Sequence, residues 1–140
     1  MEPTTTSGEA TWDWMAIDLA CTSSAGRVTF SIVFRNASDE PHKLPFSNRS
    51  RKAEYWGLRL EDAQGQPVKP QRTMIVNPRV PDPDVHPLAS GETWTYELTG
   101  ELTDAGLEFP AAIFPLRKGE SYLARFAYKG VASNQTPVNF

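Results

Sequence analysis

Asp82, Asp84 and His86 stand at alternate positions of one proline-rich stretch, Asn77-Pro78-Arg79-Val80-Pro81-Asp82-Pro83-Asp84-Val85-His86-Pro87. An extended chain turns alternate side chains to one side, so two carboxylates and an imidazole would share a face. Such oxygens suit a hard cation such as Ca²⁺, with Asp104 as a further ligand from elsewhere. The prolines and the lack of an acidic, glycine-rich loop favour a stiff solvated connection instead. No metal or cofactor is therefore assigned, and cation binding by this loop stays an open alternative. His42 and His86 are the only histidines, each beside a proline, and no Gly-x-Ser-x-Gly turn presents a nucleophilic serine. Cys21 is the sole cysteine, with no base close to it in sequence to activate a thiolate. No catalytic residue is assigned, and the chain is not expected to be an enzyme.

Binding is the remaining chemistry. Function on a rigid scaffold concentrates in its irregular segments, which here are Asn48–Lys52 and Arg79–His86. The residues expected to meet a protein partner are Asn48, Arg49, Arg51, Arg79, Asp82, Asp84 and His86. A second reading comes from the aromatics, four Trp and four Tyr in 140 residues. Trp12 and Trp14 alternate with Met15, Ile17 and Leu19. If the aliphatic set faces the core, the Trp pair is exposed. With Tyr55 it would then form a platform for stacking on sugar rings. Asn36-Ala37-Ser38, Asn48-Arg49-Ser50 and Asn134-Gln135-Thr136 each match the N-glycosylation pattern, which has meaning only in a secreted eukaryotic protein.

Any such site must be carried by strands. In Arg27-Val28-Thr29-Phe30-Ser31-Ile32-Val33-Phe34-Arg35-Asn36 the apolar residues Val28, Phe30, Ile32 and Phe34 recur at period two, as in a strand with one buried face. Thr11–Cys21, Tyr55–Leu60, Thr93–Thr99 and Ser121–Tyr128 repeat the pattern. In Thr93–Thr99 the shared face is Trp94, Tyr96 and Leu98. In Ser121–Tyr128 it is Tyr122, Ala124, Phe126 and Tyr128. Thr22–Gly26 reads as a five-residue hairpin turn, and Gly65 as the tip of a second turn. Thr73–Val76 could be a short strand, Leu102–Leu107 a helical turn or loop, and Val131–Phe140 an added edge strand. The proline-rich stretch is expected to cross irregularly between sheets. Seven to eight strands with little or no helix predict an all-β, two-sheet antiparallel sandwich, with a small barrel as the alternative.

Length and charge agree with one domain. At 140 residues a single core is attainable without staples. Residues 1–10 are expected to be a flexible lead-in and 11–140 the sandwich. The net charge of −3 and the absence of a basic run argue against nucleic acid as a partner. No apolar stretch is long enough to span a membrane. The expected location is the cytoplasm if the chain is full length, and the periplasm or exterior if a signal peptide was removed.

Three pieces carry a family resemblance: VTFSIVFRNASDEPHKL, LRLEDAQGQPV, and LASGETWTYEL with GESYLARFAY. They resemble bacterial immunoglobulin-like and fibronectin-III-like sandwiches and, more distantly, intracellular proteinase-inhibitor-like domains. The resemblance covers residues 27–130 and rests on turn chemistry. It implies a protein-binding module, inhibitor-like in its mode. An edge strand open to pairing with another chain is the third way to associate.

Overall fold

The computed structural model describes residues 12–46, 57–72, 85–109 and 112–139. Among them there is no helix, and twelve strands follow one another: β1 (Met15–Ser24), β2 (Arg27–Asn36), β3 (His42–Pro45), β4 (Leu58–Glu61), β5 (Gln71–Arg72), β6 (Val85–Leu88), β7 (Thr93–Thr103), β8 (Gly106–Phe109), β9 (Ala112–Phe114), β10 (Ser121–Tyr128), β11 (Val131–Ala132) and β12 (Thr136–Asn139). The count exceeds seven to eight because short ladders of two to four residues join the long strands. Every pairing is antiparallel. The large sheet runs β1-β2-β7-β8-β9-β5, and a small sheet centres on β10, flanked by β4 on one side and by β11 and β12 on the other. A two-stranded ribbon, β3 with β6, completes the all-β sandwich.

The period-two pattern builds the core as read. Val28, Phe30, Ile32 and Phe34 of β2 are buried, as are Tyr122, Ala124 and Phe126 of β10. The two sheets meet where Phe34 and Phe126 approach edge to face at 6.1 Å. Between them sits Phe46, just past β3. Its ring lies 5.0 Å from those of Phe34, Tyr96 and Tyr128. The first hairpin turns more tightly than expected. Its ladder closes at Ser24↔Arg27, with Ala25 (φ 54°) and Gly26 (φ 79°) both left-handed. That mirror-image turn matches the strand twist, so two residues suffice where five were expected. Leu102–Leu107 is neither helix nor loop. β7 continues to Thr103 and returns through Asp104-Ala105 into β8. Thr73–Val76 and residues 1–10 lie outside the described residues.

The proline-rich crossing also differs at its end. Val85–Leu88 is a strand, paired Leu44↔His86 and His42↔Leu88. A two-stranded ribbon tolerates Pro87 because each of its strands has an outer edge. The ribbon turns Leu44, Leu88 and both histidines inward. His42 stacks on Trp14 at 4.6 Å and His86 on Trp94 at 4.0 Å. His86 Nε2 is 3.1 Å from the Phe46 carbonyl oxygen, which can only accept, so Nε2 carries a proton.

Two asparagines fasten the elements. Asn36 is fully buried, donating to the carbonyls of Glu40 (2.7 Å) and Leu88 (3.0 Å) and accepting from Ser38 N (2.9 Å) and Ser38 Oγ (2.7 Å). Its amide is thus spent inside the protein. Asn36→Ala leaves several buried groups unpaired and is expected to cost about 2–3 kcal/mol, read as a lowered urea midpoint at unchanged m-value. Asn134, between β11 and β12, takes Leu19 N–H on its oxygen (2.8 Å) and donates to Leu19 O (3.0 Å). A side-chain amide here replaces a neighbouring strand on the outer edge of β1.

Candidate functional site

The outer face of the small sheet carries a groove of about 590 Å³, lined by Leu58–Glu61, Pro67–Pro70, Leu123, Arg125 and Gln135. Its arrangement follows from register. In β10 the inward set is Tyr122, Ala124 and Phe126, so Leu123 and Arg125 must point out. Arg125 stands directly opposite Arg59 of β4, and Leu123 opposite Glu61. On the other flank Leu123 faces Pro137 of β12, and the same register carries Gln135 toward Arg125. Beyond β4 the chain returns through a tight turn in which Asp62 accepts from Gln64 N and Gln66 N at 2.9 Å each. Pro67 then bridges to Glu61, and Val68 N donates to Leu60 O at 2.8 Å. This places Lys69 beside Arg59.

The groove therefore has two rows. One is Lys69, Arg59, Arg125 and Gln135, and the other Pro67, Glu61, Leu123 and Pro137. Directly opposed Cβ atoms lie about 5 Å apart, so the three cations span about 10 Å. All three are exposed, and Arg59 is itself engaged by the protein. Leu123, at 40% exposure, is one of two large apolar side chains left in solvent among the described residues, the other being Val85. Like charges directly opposed across strands destabilise a sheet. Arg125→Thr is accordingly expected to stabilise the fold by about 0.2–1 kcal/mol, measured by urea denaturation.

The residues expected from sequence lie elsewhere. Asn48, Arg49, Arg51, Arg79, Asp82, Asp84 and Tyr55 are outside the described residues. His86 is inside, but in β6 with its ring on Trp94 rather than projecting from a loop. Asp104 pairs with Lys118 at 3.0 Å. Among the described residues no cluster of three or more His, Cys, Asp or Glu could hold a metal ion.

Trp12 and Trp14 do not form the exposed platform. The chain turns at 12–14, with Met15 N donating to Trp12 O at 3.1 Å, so the alternation does not extend back through the pair. Trp14 is 7% exposed beneath His42. Trp12 is half-buried, tilted 41° to Trp14, with Lys129 Nζ 5.6 Å from its ring centroid. Rings meant to stack on a sugar need an open, shared plane, and these have neither.

Cys21 sits on β1 opposite Phe30, and burial pushes its thiol up, away from the reactive thiolate. Burial likewise raises the Tyr128 phenol, which stays protonated to donate to the Pro45 carbonyl.

Comparison with protein-family models and with curated protein sequences finds no match. Among the described residues no helix is long and apolar enough to cross a membrane.

Sequence reasoning missed Lys69, Arg59, Leu123, Arg125 and Gln135. A signal was present in Ser121–Tyr128, where an apolar leucine stands between Ser121 and Arg125 on the outward face. The arginine pair was not readable, because it depends on the register between strands more than sixty residues apart.

Proposed function

We propose that the chain is a non-catalytic protein-binding module, an immunoglobulin-like sandwich that uses the outer face of its small sheet as the contact surface. The observation that carries this reading is the groove itself. An exposed leucine lies beside cations packed opposite one another on a rigid two-layer scaffold. Surfaces that mix an accessible apolar side chain with arginine suit protein contact. Strands hold these side chains more firmly than a loop would. An inhibitor-like mode, in which the sandwich blocks a partner by occupying its surface, belongs to the same reading.

Photo-cross-linking in cells that make the protein tests it. Benzoylphenylalanine is placed at position 123, and separately at position 95, which is exposed on the outer face of the large sheet. A discrete protein adduct from position 123 and none from 95 is the expected result. No adduct from 123, or the same adducts from both positions, would sink the reading.

A further inference from the structure

We infer that the occupant of this groove is an extended acidic segment of a partner protein, with glutamate or aspartate side chains on the cationic row and an apolar side chain on the row beside it. The inference rests on the protein-binding reading above and adds the chemistry of the partner.

Charge comes first. The chain as a whole carries −3, yet Lys69, Arg59 and Arg125 line up across three neighbouring strand positions, with Glu61 the one carboxylate lining the groove among the described residues. Arg59 is engaged by the protein itself, so Lys69 and Arg125 on either side of it are the cations offered to an anion. A guanidinium also offers paired donors in a fixed fork that matches a carboxylate.

The second row selects the kind of anion. Pro67, Leu123 and Pro137 present apolar surface on either side of Glu61. Inorganic phosphate or a polyphosphate has no atoms to cover it. A peptide has both parts, and an extended one repeats its side chains about every 7 Å on one side, within reach of a row about 10 Å long. Glu61 beside Leu123 disfavours an acidic side chain on that second row, which sets the order of charge and apolar surface along the ligand.

The probe is a blocked heptapeptide, Glu-Val-Glu-Pro-Glu-Val-Glu, titrated into the full chain and followed by amide chemical shifts at 50 mM salt. Shifts confined to Arg59, Leu123, Arg125 and Gln135 are expected, with binding weakened at least tenfold at 500 mM salt. A Lys69→Ser/Arg125→Thr double variant should lose at least tenfold in affinity, and Leu123→Ser a further several-fold. Both variants remove exposed side chains, and their amide spectra verify folding. Three outcomes overturn the inference. The glutamine version of the peptide could bind equally well. Tripolyphosphate could bind more tightly with no dependence on Leu123. The acidic peptide could leave the groove unshifted. In each case a position-123 adduct would still stand for the protein-binding reading, so the two fail separately.

Discussion

Gly106→Ala is expected to abolish the fold at physiological temperature. Gly106 opens β8 at φ +127°, a region closed to residues with a side chain. A Cβ placed there would lie 2.1 Å from Phe114 O and 2.6 Å from Leu116 N. Both contacts are backbone, and both belong to a segment fixed by the buried rings of Phe114 and Phe109. Neither atom can move without unpairing β8 from β9, the ladder that joins β7 to the far edge of the large sheet. A loss above about 4 kcal/mol is expected, a large share of the roughly 5–15 kcal/mol that a domain of this size has. The measurement is the yield and thermal midpoint of soluble protein. A variant that melts within a few degrees of the parent would show that this turn can relax.

Phe46→Ala should come next in severity, at about 3–5 kcal/mol. Phe46 is 2% exposed and meets Phe34, Tyr96 and Tyr128, and also Trp94 at 5.7 Å and Phe126 at 6.4 Å. From outside all three strands, its ring reaches β2, β7 and β10 together. Truncation leaves a cavity that the stiff strands on both sides cannot close. It also loosens the Phe46 carbonyl that receives His86, and with it the stack on Trp94. Trp94 should then become wetter, so a red-shifted tryptophan emission is expected along with the lowered denaturation midpoint. Destabilisation without that shift would separate the core defect from the seating of the ribbon.

The readable parts of this chain were those in which one strand decides its own fate. Val28 to Phe34 declare their buried face by alternation alone, and so do Tyr122, Ala124 and Phe126. Alternation failed at Trp12 and Trp14, because a turn before Met15 rotates the pair out of the frame set by Ile17 and Leu19. It also failed at Phe46. A lone phenylalanine next to a polar segment carries no period, and its central place comes from contacts with three distant strands. The groove was hidden for a related reason. Arg59, Lys69 and Arg125 each look like ordinary solvent-facing residues. Only the pairing of β4 with β10, together with the return of 67–68 along β4, aligns them. His86 was placed in a loop because of its proline neighbour, where a short edge strand forms.

The Asn134 clamp on Leu19 has a consequence for the order in which the protein is made. β1 and β2 leave the ribosome before the later strands of the sandwich and can close their hairpin at once, since their contacts are local. Their apolar face, with Ile17, Leu19, Phe30 and Phe34, waits for β10 and β12 to cover it. The outer edge of β1 waits for a side chain that is 115 residues away in sequence. At about 5–20 residues per second, that interval is roughly 6–23 s of exposed strand edge and bare core. Aggregation during synthesis is the hazard this topology creates, so the demand for a chaperone falls on the nascent hairpin rather than on the finished protein.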